Sequence, residues 1–298
     1  MDRFFEMQVY LAVAETEGFA AGARKLGISP PVATRAVADL ETRLGVKLLT
    51  RTTRYVRVTD AGKRYLEDCR RILGDVAEAD DAAAGVNGEP SGHLAITAPV
   101  VFGRMFVAPG VLDYLNRYPK MDVSALYVDR VVNLIEEGLD IGVRIGQLAD
   151  SSMHAARVGT VRRLLCASPD YLAKNGIPQD PKDLHEHTIV SALGVNPLAE
   201  WKFKGDKNVR LKPRLSVTSN ESAIDAAVAG FGISRQMSYQ IAPQLESGAL
   251  KIVLSEFELE PLPIHILHRE GRYASAKVRT FVDLLVERLR ADPALNYR

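Results

Sequence analysis

Apolar residues in the first part of the chain recur every three or four positions, which is the spacing of amphipathic helices. Residues 4–15 form the first predicted helix, and its apolar side consists of Phe5, Val9, Tyr10 and Val13. A second helix carries the small residues Ala20, Ala21 and Ala23, followed by Leu26, so another helix can cross it closely. We expect these side chains, aromatic ones included, to form a core rather than a surface for stacking bases.

A tight turn and a third helix follow. Gly27 ends the second helix, because glycine adopts left-handed backbone angles without a side-chain clash. Ser29 is placed to cap the third helix, and Pro30 fits its first position, where no amide partner is needed. The buried side of this helix is predicted to consist of Val32, Val37, Leu40 and Leu44. Its exposed side is predicted to consist of Thr34, Arg35 and Asp39.

An exposed Thr-Arg pair near a helix start supplies one short hydrogen-bonding group and one long bidentate donor, which suits base edges in the major groove. The following stretch, RTTRYVRVT, alternates β-branched and basic residues and predicts a basic hairpin. Residues 24–64 hold ten basic and three acidic side chains, a net +7, whereas the whole chain carries +1. Charge alone does not exclude an ordinary helical hairpin whose basic face is solvated. Charge together with the helix cap, the turn and the hairpin pattern favours a segment that contacts DNA phosphates. The predicted DNA-binding residues are Ser29, Pro30, Thr34, Arg35, Arg51, Thr53 and Arg54.

The pattern changes after the hairpin. Thr59 is placed to cap a long helix over residues 59–84, and its narrow apolar seam is suited to pairing with another helix. The seam consists of Leu66, Cys69, Leu73, Val76, Ala79 and Ala83. The composition of residues 85–92 predicts a hinge. From residue 93 onward short strands alternate with helices, which predicts an α/β fold with parallel, doubly wound sheets. This region includes a predicted turn at 99–103 and predicted helices at 131–138 and 275–290.

Composition limits the class of protein. The 298 residues are 47% hydrophobic, enough for two or three globular units. No apolar run reaches the roughly 18 residues that a membrane span needs, and the N-terminus lacks a signal-peptide layout, so we expect a soluble cytoplasmic protein. The two cysteines, Cys69 and Cys166, are expected to be packed, reduced thiols. No metal or cofactor is predicted, because His185 and His187 lack companion ligands at metal-site spacing.

The stretch LGISPPVATRAVADLETRLGVKLLTRTTRYVRVTDAG resembles the winged helix-turn-helix of LysR-type transcriptional regulators, especially the subgroup whose wing reads LLxRTTR. Two residues depart from the family pattern: Gly18 replaces a usual serine, and Pro30 replaces a polar residue that family members use toward DNA. The operator preference therefore stays open. Further along, TAPVVFGR, DIGVRIG, ASPDYLAKNGIP, GFGISRQMSYQ and AKVRTFVDLL carry the resemblance through nearly the whole chain.

The resemblance implies a winged helix-turn-helix over 1–58 and, over 93–298, a two-lobed α/β effector domain like type 2 periplasmic binding proteins. Lobe I would comprise about 93–166 and 265–298, and lobe II about 167–264, with crossing strands near 162–167 and 262–268. It also implies a homodimer or homotetramer, in which the effector lobes pair separately from the long helices. RNA polymerase would be a further partner if the protein is an activator.

Ligands of open α/β lobes bind at the carboxyl ends of strands, where helix starts present free amides. Arg144, at a strand end, suits a carboxylate ligand, although a salt bridge with Asp129 or Asp140 is the alternative. Arg235 is a second candidate. The predicted effector-binding residues are Pro99, Val100, Phe102, Val128, Asp129, Arg144, Ser219 and Asn220. Capping of a helix is the alternative role for the last two. Family effectors are often small organic or aromatic acids.

These features favour a DNA-binding transcriptional regulator whose promoter binding is modulated by a small-molecule effector. Two heads on a two-fold axis predict an inverted-repeat operator in double-stranded DNA. A cytosolic solute-binding protein with an accessory helical domain is the alternative. An enzyme is disfavoured because no GxSxG, P-loop or HExxH motif occurs, and His265 and His268 fit a core or surface position better than a catalytic one.

Overall fold

The computed structural model describes residues 2–51, 56–83, 89–148, 153–192, 200–269 and 274–296. The chain divides into two compact units, Met1–His93 and Leu94–Arg298. Residues 84–88, which include the first half of the predicted hinge (85–92), lie outside the described residues. No helix among the described residues is long and apolar enough to cross a membrane.

The first unit consists of four helices and a two-stranded antiparallel ribbon. Its elements are α1 (Arg3–Glu15), α2 (Phe19–Lys25), α3 (Pro30–Leu44), β1 (Leu49–Arg51), β2 (Val56–Val58) and α4 (Asp60–Ala83). The predicted order of helices, turn, hairpin and long helix is confirmed. Gly27 has a φ of 67°, as the predicted turn between α2 and α3 requires.

The close crossing of α1 and α2 depends on Gly22, a residue that the sequence pattern did not single out. A Cβ added to Gly22 would lie 2.8 Å from the Val13 backbone. Ala23 is fully buried beside it, whereas Ala20 faces solvent. The apolar side of α1 is confirmed as core, with Val9, Tyr10 and Val13 fully buried.

The buried face of α3 differs from the prediction at both ends. Val37 and Leu40 are buried as expected, but Val32 is 39% exposed and Leu44 is 37% exposed. The core positions are taken instead by Ala33, Ala36 and Glu41, because α3 crosses α1 and α2 along a face rotated from the one assumed. Ser29 occupies the cap position, but its side chain accepts no hydrogen bond from the helix.

Thr59 caps α4 as predicted, because its Oγ1 accepts a hydrogen bond from the Gly62 amide at 3.0 Å. The seam of α4 is only partly a surface for another helix. Cys69 is fully buried in the core of the first unit, and Leu66 and Leu73 pack against that core. Val76 is 36% exposed. The first half of the seam therefore stabilises the globular unit of its own chain.

The second unit contains two five-stranded sheets flanked by helices. Its strands are β3 (Gly92–Ala98), β4 (Met121–Tyr127), β5 (Ile141–Ile145), β6 (His154–Val161), β7 (Arg163–Ala167), β8 (Ile189–Ala192), β9 (Glu200–Lys202), β10 (Asn208–Arg210), β11 (Leu215–Val217), β12 (Ile233–Met237), β13 (Lys251–Val253) and β14 (Leu262–His268). Its α-helices are α5 (Val100–Phe102), α6 (Ala108–Arg117), α7 (Pro169–Asn175), α8 (Asn220–Val228), α9 (Ala242–Glu246) and α10 (Ala276–Ala291). The sheet orders are β4-β3-β5-β14-β6 and β11-β8-β12-β7-β13, and β9 and β10 form a separate ribbon.

The sheets are mixed rather than purely parallel. Strands β3 and β5 pair in parallel, as do β8, β11 and β12, but β14 is antiparallel to β5 and β6, and β7 is antiparallel to β12 and β13. The antiparallel strands are those that follow a crossing of the chain between the sheets. Pattern alone could not give their direction.

The sheets also shift the limits of the two lobes. Strand β6 ends at Val161 in the first sheet, and β7 begins at Arg163 in the second, so the chain crosses at Arg162, within the predicted crossing near 162–167 but before the predicted limit of lobe I at about 166. On the return, all of β14 from Leu262 belongs to the first sheet. We use lobe I for the part around the first sheet and lobe II for the part around the second.

Two local predictions in lobe I are wrong. Residues 99–103 do not form a turn: helix α5 begins at Val100 and continues through a π-helical segment (Gly103–Val107) into α6. Residues 131–138 do not form a helix: residues 134–138 make a hydrogen-bonded turn, and residues 131–133 have no regular structure. Gly138, with a φ of 65°, ends this turn, and the Leu139 amide bonds back to the Leu134 carbonyl. The final helix is confirmed, with Val278, Phe281, Val282, Leu285 and Leu289 buried.

Candidate DNA-binding surface and effector site

The outer face of α3 presents the predicted reading residues. Ser29, Pro30 and Arg35 are exposed, and Thr34 is half-buried. The Arg35 side chain is 79% exposed, and its Nε lies 3.9 Å from Asp39 Oδ2, one helical turn away. An exposed pair at this distance is weakly held, so the guanidinium is free to reach a base edge.

Strands β1 and β2 form the base of the predicted wing. Leu49 pairs with Val58, Thr50 with Arg57, and Arg51 with Val56. Arg51 therefore ends the described part of β1, although its side chain is outside the description. Thr53 and Arg54 also lie outside the described residues, so their predicted contacts are not tested.

Glu41 joins the end of α3 to the start of the wing. Its carboxylate is only 7% exposed, and Oε1 accepts hydrogen bonds from the amides of Leu48 at 2.9 Å and Leu49 at 3.0 Å. Lys47 Nζ donates to Oε2 at 2.5 Å. Burial opposes ionisation, but these donors outweigh it and lower the pKa of Glu41. The carboxylate fixes where β1 leaves α3, and hence where the wing lies relative to the reading helix.

A second buried carboxylate anchors the same end of α3. Glu6 of α1 is 4% exposed, and its Oε2 accepts hydrogen bonds from Arg43 Nη2 at 2.8 Å and Arg43 Nε at 3.2 Å. Arg43 is therefore bound within the fold rather than available to phosphate. Not all of the positive charge counted in residues 24–64 faces outward.

In the second unit, Asp129 connects the two lobes. Its Oδ1 accepts a hydrogen bond from the Val100 amide at 3.0 Å, at the start of α5 in lobe I. Its Oδ2 accepts one from Asn220 Nδ2 at 3.1 Å, at the start of α8 in lobe II. The predicted residues Val100, Asp129 and Asn220 are therefore brought together. The Asp129 carboxylate thus accepts hydrogen bonds from donors on both sides of the cleft between the lobes.

Aromatic side chains form the apolar part of the same contact. Phe102 packs against Phe106 with ring centroids 4.8 Å apart, and both rings meet Tyr239 edge-on, at 5.4 and 5.7 Å. Tyr239 follows β12 in lobe II and is 2% exposed. Burial, with the Asp129 carboxylate nearby, raises the pKa of the Tyr239 phenol. In the sequence, residues 238–240 belong only to a stretch that carries the family resemblance, and no pattern predicted this aromatic contact.

The remaining predicted residues have structural roles. Pro99 occupies the position before α5, and the Val128 amide donates to the Ala98 carbonyl at 3.0 Å. Ser219 caps α8, because its Oγ accepts a hydrogen bond from the Ser222 amide at 3.2 Å. This is the capping role left open for Ser219.

Arg144 does not join the Asp129 contact. Its guanidinium donates to the Val132 carbonyl, rather than pairing with Asp129 or Asp140 in the described part of the chain. Asp140 Oδ2 accepts a hydrogen bond from the Ala95 amide at 2.7 Å. Burial lowers the pKa of Arg144, with Glu137 opposing the shift. A role for Arg144 in carboxylate binding stays a prediction.

Comparison with protein families decides what this pair of units is. Residues 4–63 match the family described as "Bacterial regulatory helix-turn-helix protein, lysR family", and residues 87–290 match the "LysR substrate binding domain". The chain belongs to the LysR family of transcriptional regulators. As a LysR-type regulator it binds DNA through the helix-turn-helix unit and a small-molecule effector through the two-lobed unit.

Individual relatives support the assignment over the full length of the LysR-type chain. It is 34% identical over 284 residues to the HTH-type transcriptional regulator DmlR of Escherichia coli, covering 94% of this chain and 92% of the relative. It is 32% identical over 283 residues to an uncharacterized HTH-type transcriptional regulator of Haemophilus influenzae, covering 93% and 98%. The structure of CrgA, a LysR-type regulator from Neisseria meningitidis, matches with 28% identity and a TM-score of 0.61, covering 97% and 99%.

The thiols and metal-ligand residues of this LysR-type chain show no reactive arrangement in the described ranges. Cys69 and Cys166 are both buried and free, and burial raises the pKa of each thiol to about 12. His187 Nδ1 lies 3.2 Å from the Tyr171 hydroxyl, which gives it a packing role. No cluster of three or more His, Cys, Asp or Glu side chains in the described part of the chain could hold a metal ion.

Proposed function

We propose that the protein is a cytoplasmic one-component regulator that binds an inverted-repeat operator as a homodimer or homotetramer. Residues Thr34 and Arg35 of α3 would read base edges in the major groove, and the wing, through Arg51 and Arg54, would contact phosphates. Val76 and Asp80, on α4 beyond Leu73, are exposed, which supports pairing with a second copy. If the outcome is activation, RNA polymerase is the further partner.

The effector, in this proposal, is a small organic or aromatic acid that binds where Asp129 now bridges the lobes. This assignment of the effector site rests on the Asp129 carboxylate, which accepts hydrogen bonds from both the Val100 amide and the Asn220 side chain. A carboxylate ligand needs the same kind of donors, so it competes with Asp129 for them. The rings of Phe102 and Tyr239 would then contact the apolar part of the ligand.

Ligand binding at this point would change the relation between the lobes, because Asp129 lies in lobe I and Asn220 in lobe II. A ligand that binds one arrangement of the lobes more tightly shifts the population toward it. In the dimer, that shift would alter the spacing of the two DNA-binding heads. The proposed response requires binding only and no catalytic step.

The operator is tested by selecting genomic fragments that the purified full-length protein binds, followed by footprinting at two salt concentrations. A protected inverted repeat near a promoter supports the proposal, and the neighbouring genes indicate the effector class. Protection that is sequence-blind at both salt concentrations contradicts it.

The effector site is tested with Asp129→Asn and with Asp122→Asn, an exposed acid on β4, as the matched control. Small carboxylic acids, among them benzoate and succinate, are titrated against each variant by calorimetry. Asp129→Asn weakens the internal competitor, so the acid that binds should bind more tightly to this variant than to wild type. Equal affinity for wild type and both variants would place the effector elsewhere.

A further inference from the structure

Lobe II has a second concave site on the side of its sheet that faces away from α8. Leu164 and Cys166 of β7 pack with Ile224 and Ala227 of α8, whereas Leu165 packs on the other face, with Trp201 and Phe203. Arg163 belongs to the same row as Leu165, because alternate residues of a strand share a face. A small pocket, open to solvent, lies on this side. Its lining includes Arg163, Lys202, Phe203, Arg235, Phe257 and Glu258.

Two arginines lie side by side in this pocket. On the antiparallel pair β12 and β7, Arg235 is opposite Leu165 and Met237 is opposite Arg163, so the two guanidinium groups extend from neighbouring positions of one face. Arg235 is half-buried and stacks near two rings, 5.7 Å from the centroid of Trp201 and 6.0 Å from that of Phe203. Arg163 is exposed, the position of a side chain at the rim of a pocket, and partial burial of its guanidinium lowers its pKa.

Neither guanidinium is neutralised within the described residues. No hydrogen bond or ion pair from Arg163 or Arg235 occurs in that part of the chain. Glu258 lines the pocket, but its two oxygens accept hydrogen bonds from Arg162, Nη2 at 2.7 Å and Nε at 2.8 Å. Lys202 adds a third positive charge to the lining. Burial, with the Arg163 charge close by, lowers the pKa of Arg235 to about 9.

Two unpaired arginines in one pocket destabilise the protein without a ligand and favour the binding of an anion. Two like charges in a partly desolvated pocket repel each other, and each retains unused hydrogen-bond donors. The Trp201 and Phe203 rings hold the Arg235 guanidinium in place, which limits the side-chain entropy lost when it binds a ligand. Guanidinium groups bind carboxylate and phosphate groups through paired hydrogen bonds.

We propose that this pocket is a second ligand site, in which Arg163 and Arg235 together bind a compact oxyanion bearing a carboxylate or phosphate group. It is separate from the effector site proposed above, because neither Asp129 nor any other of the eight predicted effector-binding residues lines it, whereas Arg235, the second candidate for carboxylate binding, belongs to this pocket instead. The position of the pocket links it to the segments that connect the two lobes. Glu258 pairs with Arg162, the residue between β6 and β7 where the chain crosses from lobe I to lobe II.

An anion bound here contacts the residue next to that crossing. Arg163 directly follows Arg162, and Glu258 precedes the second crossing at β14. Binding would therefore bias the segments that connect the lobes, and the coupling to the effector site would be reciprocal. The oxyanion would act as a modulator of the response rather than as a substrate.

The test uses the full-length protein with inorganic phosphate and with malonate as probes, in chloride buffers of constant ionic strength. Calorimetry gives the Kd, and thermal unfolding gives the Tm with and without probe. The variants are Arg163→Gln and Arg235→Gln. Arg214→Gln is the matched control, because Arg214 is exposed on lobe II, stacks near Phe231 at 5.5 Å and does not line the pocket.

We expect at least one probe to bind wild type, and each pocket variant to raise its Kd by about tenfold or more, as loss of a charged hydrogen-bond donor does. Without probe, Arg163→Gln should raise the Tm, because it relieves the repulsion and leaves no cavity at an exposed position. Arg214→Gln should change neither quantity. A difference between phosphate and malonate would identify which oxyanion the pocket prefers.

Three results would overturn the proposal. One is that neither probe binds wild type. Another is equal stabilisation of all variants by both probes, which would be a general salt effect. The third is a lower Tm or loss of folding in Arg163→Gln, which would make the arginine pair structural. Asp129→Asn should leave probe binding at this pocket intact, so failure here is distinguishable from failure of the proposed effector site.

Discussion

The buried carboxylate of Glu41 offers the sharpest test of how the wing is positioned. In Glu41→Ala, the amides of Leu48 and Leu49 lose their acceptor, and both residues are at most 5% exposed, so water cannot readily replace it. Each unsatisfied buried amide costs about 1–3 kcal/mol, so the pair amounts to about 2–6 kcal/mol. The Lys47 side chain is 75% exposed and adds less than about 1 kcal/mol.

Glu41→Gln keeps an oxygen that can accept both amides but loses the charge. Charged hydrogen bonds exceed neutral ones by about 1 kcal/mol each, so this variant should lose about 2 kcal/mol, less than Glu41→Ala. Hydrogen exchange of a peptide covering residues 46–51 measures the effect locally in the full-length protein. Glu67→Ala is the control, because the Glu67 side chain is 64% exposed and, within the part of the chain that the structure describes, pairs only with Arg70 across one helical turn.

The reasoning fails if exchange of this peptide is unchanged in Glu41→Ala, or if Glu67→Ala accelerates it equally. A pH series gives a second check. The folded-state pKa of Glu41 lies below its ordinary value, so its stabilisation is complete at neutral pH and is lost as the pH falls through the folded-state pKa. The advantage of wild type over Glu41→Gln should therefore shrink at acid pH. An advantage that grows there would contradict the proposed ionised state.

Other expectations concern DNA binding and helix packing. Arg35→Ala should weaken operator binding by about 1–3 kcal/mol and nonspecific binding much less, whereas Arg51→Ala should lower affinity for all sequences and reduce the salt slope by about one unit; titrations at several salt concentrations separate the two. Gly62→Ala would put a Cβ 2.2 Å from the Leu48 carbonyl oxygen, and thermal unfolding should show a loss of about 1–3 kcal/mol. Gly74→Ala, on the same helix with no atom within 4 Å, should gain about 0.5–1 kcal/mol instead.

Local signals were sufficient for much of the first unit. Gly27, Pro30 and Thr59 each act through their own backbone neighbourhood, so their positions fixed the turn, the start of α3 and the start of α4. The final helix was equally predictable, because Phe281 and Leu285 continue one apolar face over its full length. These features depend on contacts between residues a few positions apart.

Features that depend on distant partners were not predictable in the same way. The buried side of α3 was assigned to Val32 and Leu44, but the angle at which α3 crosses α1 placed Ala33 and Glu41 inside. Gly22 was passed over for its alanine neighbours, since only the position of Val13 in space shows why no side chain fits there.

The effector domain shows the same division. Many strand positions were visible from their apolar runs, but β6, β10 and β13 were not predicted. The antiparallel direction of β7 and β14 follows from the crossing of the chain between lobes. Val100, Asp129 and Asn220 were each predicted as loop residues of a cleft, but pattern could not show that one carboxylate joins them.

The sequence by itself determined the order of the elements, the basic reading head and the family resemblance, because helix caps, turns, charge and motif spacing act over short distances. Tertiary structure decided which charges are inside and which are unpaired. Glu41 is buried because two amides approach it, and Arg163 and Arg235 meet because β7 and β12 pair in antiparallel register. The partners of a side chain can lie about a hundred residues away along the chain, as Glu258 does from Arg162, and no local pattern predicts such pairs.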